Sequence, residues 1–230
     1  MLEVFSFLDT RIFSAILGVL RPPEGMSQTK KLLRELIALP SVNPAFLSAQ
    51  HPRAGEQRVG QFLGRLAVKA GLDVEFQPVL DDRSNLVARL APRRKARCRV
   101  LLAPHLDTVN AEEGQFTPRE RNGKIFGRGA CDTKGSIAAM MGALFNLARN
   151  GKRPQETELV FVGLVDEENA QAGSRALVRA KLTLLRRSSS KFGILQVSVG
   201  GLGRGEAQDG QYSSGFCHQV GGELPLWDLR

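Results

Sequence analysis

Three short stretches hold residues whose types and spacing could do chemistry. They are Pro104-His105-Leu106-Asp107-Thr108, Asp132 within Gly127-Arg128-Gly129-Ala130-Cys131-Asp132-Thr133-Lys134-Gly135, and Val165-Asp166-Glu167-Glu168. In a His-x-Asp, one imidazole nitrogen can bind a metal while the carboxylate two residues on holds the ring from behind. The plainer reading of a His at a strand end is a structural hydrogen-bonder. Asp132 sits on a glycine-flanked turn before a helical pattern, where an N-cap, worth about 1 kcal/mol, is the ordinary role. Three consecutive carboxylates repel one another and are unfavourable without a cation, unless they form a solvated acidic turn. Together the stretches say more than each alone. Borderline divalent metals such as zinc accept His nitrogen and carboxylate oxygen. One carboxylate can bridge two ions about 3.5–4 Å apart and so help make a strong nucleophile from water near neutral pH. Of two adjacent glutamates, one can coordinate metal while the other takes a proton from water and returns it to a leaving amine.

Each stretch ends an apolar strand pattern or opens a helix, where open α/β sheets place their sites. Residues 28–39 and about 55–70 have helical apolar spacing, the first stopped by Pro40 and the second by Gly71. Ser27 stands as the N-cap of the first. Strand-like runs follow at residues 73–78, 85–90 and 100–103, then a hairpin over 120–127 turned at Asn122-Gly123. Residues 133–150 read as a buried helix, 158–165 as a buried strand, 174–180 as the start of a helix, and 192–199 as a strand. Helices alternating with apolar strands predict a three-layer α/β domain.

Composition narrows the field. At 230 residues, with 42% apolar and 24% charged residues, the chain can bury a real core. No run of eighteen apolar residues argues for a membrane span. Residues 1–20 have neither a basic leader nor a small-residue cleavage site, and Met26 is the more natural start. Cys98, Cys131 and Cys217 are odd in number and far apart, so a reducing cytoplasm is expected. The net charge of +9 raises the question of nucleic acid. Five of the basic residues cluster at 93–99 between two strand patterns, with no aromatic residues to stack bases, and a solvated hairpin loop accounts for them. A nucleotide site at Gly201-x-Gly203-x-Gly205 lacks the later glycine, the strand-to-helix context and the downstream acid.

The segments LLAPHLDTV, GRGACDTKGSIAAMM and VDEENAQAGSRAL, supported by LIALPSVNP and SNLVARL, resemble the M20 family of metallohydrolases. That family includes acetylornithine deacetylase, succinyl-diaminopimelate desuccinylase, aminoacylase and carboxypeptidase G2. The separations, 27 residues from His105 to Asp132 and 35 from Asp132 to Glu167, suit it. The resemblance implies a zinc-peptidase-like catalytic domain with two divalent ions, zinc or cobalt. By it, His105, Asp132 and Glu168 would be metal ligands, with Asp132 bridging. Glu167 would be the general base and acid, and Asp107 would complete the catalytic set by steadying His105. The Asp132–Thr133 peptide bond would be cis. The implied reaction is hydrolysis of an amide or N-acyl bond in a small N-acylated amino acid or short peptide. Neither nucleic acid nor membrane is implied as a partner, and the family is usually homodimeric through a lid domain.

The chain departs from the family after about residue 180. No acidic ligand occurs within residues 188–200, and His218, the only later histidine, has no family-like surroundings. The inserted lid or dimerisation domain and the last strands of the catalytic sheet have no counterpart. The expected organisation is an N-terminal extension at 1–26, a partial catalytic domain at 27–180, and a Gly/Arg/Ser-rich tail at 181–230. Out-of-frame translation of a GC-rich gene gives such a tail, so a frameshifted or truncated product with impaired turnover is expected. A non-catalytic binding or regulatory relative is the alternative.

Overall fold

The computed structural model describes residues 28–185 and 191–195, apart from residues 49 and 150. The N-terminal extension, the Ser27 cap, and residues 186–190 and 196–230 of the tail, with His218, lie outside the described residues. Helix α1 (Gln28–Ile37) turns Leu32, Leu36 and Ile37 inward, as its spacing requires. Helix α2 (Gln57–Lys69) buries Val59, Leu63 and Ala67 and ends at Gly71, whose φ of 81° is the left-handed turn that glycine supplies cheaply. Helix α3 (Lys134–Arg149) buries nine of its sixteen residues, because it lies between α1 and the sheet.

The sheet has the order β1-β2-β6-β3-β7. β1 (Asp73–Leu80) and β2 (Arg83–Leu90) are antiparallel, and β2 also runs antiparallel to β6 (Thr157–Gly163). β3 (Cys98–Leu102) runs parallel to both β6 and β7 (Lys191–Leu195). A separate hairpin joins β4 (Arg119–Arg121) to β5 (Lys124–Phe126) at Asn122-Gly123, both with positive φ. The central strands alternate between two cores, as a pleated strand covered on both faces must. Leu86, Ala88, Leu90, Val100, Leu102, Leu159 and Phe161 pack with α1, α2 and α3. Val87, Leu101, Val160 and Val162 face the opposite side with Leu177 of α4 (Ala172–Leu185). This is the expected three-layer α/β arrangement.

One sequence expectation needs adjusting. The basic run at 93–99 is not a hairpin loop, because β6 inserts between β2 and β3 and the run crosses over its start. There Arg93, Arg94 and Arg97 donate backbone N–H groups to Pro154, Gln155 and Glu156. Helix α4 continues through residue 180 to Leu185, and β7 beyond it hydrogen-bonds to β3.

Candidate functional site

The parallel pairing of β3 with β6 continues past both strands and delivers two of the three chemical stretches side by side. His105 bridges Leu164, with Leu106 N–H donating to Leu164 O at 2.8 Å and Leu164 N–H to Pro104 O at 2.8 Å. His105 thus stands three residues before Glu167 in register. The third stretch is pinned to the first: Thr133 Oγ1 donates to His105 O at 3.0 Å, and the Asp132–Thr133 peptide bond is cis. The glycines here allow close approach. A Cβ on Gly135 would lie 2.5 Å from Ala130 O. Lys134, 1% exposed, donates through Nζ to Leu36 O at 2.8 Å and Leu39 O at 2.9 Å, tying the start of α3 to the end of α1. Burial, helped by Arg128 and Arg58, pushes its ammonium down to about 7.

His105 is oriented mainly by a backbone group. Its Nδ1 lies 3.0 Å from the Asp107 carbonyl oxygen and 3.5 Å from Asp107 Oδ1. A carbonyl only accepts, so Nδ1 carries the hydrogen, and neutral imidazole then turns the Nε2 lone pair outward. Nε2 faces Asp132 Oδ1 at 2.9 Å and Glu167 Oε2 at 3.8 Å. A lone pair and a carboxylate oxygen so close require a positive charge, either a proton on the ring or a metal cation. Burial alone would lower the imidazole, but the Asp107 and Asp132 carboxylates outweigh it and raise His105 to about 10. One ligand atom each from His105, Asp132 and Glu168 lies within 4.8 Å of the others. One nitrogen with two carboxylate oxygens suits a borderline divalent ion, so the residues fit the group that the chemistry asks for. The Asp132 and Glu167 side chains are 54% and 41% exposed, leaving the site open to solvent and substrate.

Asp107 is 1% exposed, and its carboxylate works as a clamp. Oδ1 accepts the Glu167 N–H at 3.1 Å. Oδ2 accepts the Glu168 N–H at 3.1 Å and Asn43 Nδ2 at 2.6 Å. Burial would raise this carboxyl, yet the bonds from His105, Asn43 and the Glu168 amide hold it below its ordinary value. Glu168 is displaced the other way, by burial and by Asp132, Asp107 and Glu167, with His105 opposing.

The acidic run is not one cluster. Asp166 turns inward, 2% exposed with φ 64°, and pairs with Arg83 Nη2 at 3.1 Å and Asn43 Nδ2 at 3.1 Å. Arg83 also donates to Glu56 Oε1 from Nε at 3.0 Å and from Nη2 at 2.7 Å, and Glu56 is fully buried. The expected mutual repulsion is therefore relieved for Asp166 by protein groups, and only Glu167 and Glu168 face the site. His105, Asp107, Asp132, Glu167 and Glu168 come together. Asn43, Glu56 and Arg83 are not legible as site residues in the sequence, although Asn43 lies within LIALPSVNP and Arg83 precedes SNLVARL, two segments that support the resemblance.

Residues 101–211 match the family described as peptidase family M20/M25/M40. The chain is 33% identical over 153 residues to acetylornithine deacetylase of Proteus mirabilis, covering 63% of this chain and 37% of that protein. It is 36% identical over 132 residues to a peptidase M20 domain-containing protein of Schizosaccharomyces pombe, covering 56% of this chain and 31% of that one. In fold it is similar to an M20 family metallo-carboxypeptidase from Sulfolobus solfataricus, with a TM-score of 0.57 at 17% identity over 74% of this chain and 37% of that one. The chain thus spans about a third of the length of the relatives it matches. Across residues 101–211, the stretch that carries these motifs, the chain is similar to peptidase family M20.

Proposed function

We propose that this protein is a metal-dependent hydrolase of amide or N-acyl bonds. Its substrate on this reading is a small N-acylated amino acid or a short peptide, acetylornithine-type deacylation being one family example. The convergence of His105, Asp132 and Glu168 ligand atoms within 4.8 Å carries the reading. These three residues would hold two divalent ions, zinc or cobalt, with Asp132 shared. When bound, such ions supply an acidified water and a polarised carbonyl. Glu167, beside His105 and open to solvent, takes the water's proton and passes it to the departing amine. Asp107 keeps both glutamate backbones and the imidazole in place. The compartment we assign is the cytoplasm, and no described helix is long and apolar enough to cross a membrane.

Glu167→Gln, in a version extended to the family's full length, keeps the shape of the side chain and removes the base. Turnover of N-acetyl and N-succinyl amino acids with zinc or cobalt should fall at least ~100-fold while metal affinity holds. Undiminished turnover would remove Glu167 from this role. Among the described residues each ion finds only two protein ligands, so the 230-residue chain itself should turn over feebly. That shortage also favours a second reading, a non-catalytic binding relative. A folded chain that binds zinc and hydrolyses none of the panel supports it.

A further inference from the structure

We propose that Asn43 is a positioning residue of the metal centre: its side-chain amide, held between Asp107 and Asp166, fixes the Glu167–Glu168 backbone against His105. The inference rests on reading His105, Asp132 and Glu168 as metal ligands. Asn43 is fully buried, and its backbone N–H donates to Thr108 O at 2.9 Å, next to the His105-x-Asp107 segment. Its side-chain oxygen accepts the Ala45 N–H at 3.0 Å. That bond settles which way the amide points, because the two groups on the other side, Asp107 Oδ2 at 2.6 Å and Asp166 Oδ1 at 3.1 Å, only accept. Both N–H groups of one amide are therefore spent on two different buried carboxylates.

The two carboxylates hold opposite ends of the same turn. Asp107 receives the N–H groups of Glu167 and Glu168, while Asp166 begins the turn and is backed by Arg83. The Asp166 N–H in turn donates to Glu56 Oε1 at 3.1 Å, and Arg83 bonds the same oxygen. Asn43 is the side chain that touches both carboxylates. Without it, Asp107 loses its shortest bond, and two buried anions face each other across the space it filled. The carboxylate that clamps the glutamate amides then shifts, and the Glu168 oxygen leaves its place beside His105 and Asp132. A role confined to the turn at residues 41–45 would leave the glutamates where they are.

The test uses the whole 230-residue chain. Cobalt(II) is titrated into metal-free wild type, Asn43→Ala, Asn43→Asp and His105→Ala, with visible absorption as the readout and zinc competition for affinity. Amide hydrogen exchange is followed at Glu167 and Glu168 without metal. Partners behind a ligand typically change metal affinity about 10–100-fold, so Asn43→Ala should bind cobalt at least ~10-fold more weakly, with an altered spectrum. Glu167 and Glu168 should exchange faster while β6 stays protected. Asn43→Asp keeps the volume and the Ala45 bond but replaces the donor with an acceptor, so it serves if the alanine variant does not fold, and it too should weaken cobalt binding. Wild-type affinity and spectrum in a folded variant would overturn the proposal. So would unprotected Glu167 and Glu168 amides in the wild type, a result that needs no variant. Cobalt binding undiminished by His105→Ala sinks the metal reading instead, and amide exchange still reports on Asn43 in that case.

Discussion

Asp166 separates a run of three acids into one buried and two usable ones, and it does so through its own backbone. At φ 64° it adopts the left-handed conformation that Asp tolerates better than most side chains, which turns its carboxylate inward to Arg83 and leaves Glu167 and Glu168 facing His105. Beneath it, Glu56 is the odd member of the network. Its Oε1 takes bonds from Arg83 and the Asp166 N–H, while Oε2 is buried with no hydrogen-bond partner among the described residues. Burial raises its pKa above the ordinary 4.5, with Arg83 pulling the other way. A carboxyl raised in the folded state holds its proton more tightly there than in the unfolded chain. Its contribution to stability is full below the unfolded value and is lost as the pH climbs through the folded one. Glu56→Gln is fixed in the uncharged form. The unfolding free energy of wild type minus that of Glu56→Gln should therefore fall as the pH rises from 4.5, by no more than one proton's slope, about 1.4 kcal/mol per pH unit. Urea unfolding at a series of pH values measures it, and a flat or rising difference would contradict the buried-charge argument.

Between elements, the contact that sets the glutamate turn is as tight as the site itself. Gly173, at the start of α4, lies directly under Val165: a Cβ there would stand 2.5 Å from Val165 O, 2.7 Å from Val165 N and 2.6 Å from Asn85 Oδ1. Asn85 stitches the two, accepting the Val165 N–H at 3.0 Å and donating to Gly173 O at 2.9 Å. Backbone atoms cannot yield as a side-chain end can. Gly173→Ala should cost about 1–3 kcal/mol, read as a lower midpoint in thermal unfolding, and an unchanged midpoint would show that α4 is free to shift. None of this shows in the sequence, whereas the elements themselves do. Helical spacing in α1, α2 and α3 and unbroken apolar runs in β3 and β6 are local properties. The ends of those runs marked His105, Asp132 and Glu167. What stayed hidden depends on segments meeting from far apart. Asn43 works on Asp107 64 residues away, and Arg83 on Asp166 83 residues away. The insertion of β6 between β2 and β3, which makes the basic run a crossover, is a choice of strand order that periodicity does not encode.

The whole chain carries a net charge of +9, yet the site gathers Asp107, Asp132, Glu167 and Glu168 around one imidazole, with Glu56 and Asp166 sharing Arg83 behind them. The local field, not the total charge, decides which ion is drawn in. His105 follows β3, Asp132 precedes α3 and Glu168 follows β6, so the three groups are brought together only by the folded sheet and helix. In the unfolded chain they are far apart, and affinity for an ion there is low. Metal binding should then act as folding free energy. At free zinc 100 times its dissociation constant, linkage gives about 2.7 kcal/mol of added stability. For a chain of this size that is a rise in midpoint of roughly 5–11 °C, reversed by a chelator. His105→Ala and Asp132→Asn should each remove most of the rise, read against each variant's own metal-free midpoint, because each also breaks the contact between the imidazole and the Asp132 carboxylate. Differential scanning fluorimetry across a zinc series tests this, with magnesium as the hard-cation comparison. An equal rise with magnesium, or a rise that survives both substitutions, would mean the stabilising ion sits elsewhere on the molecule.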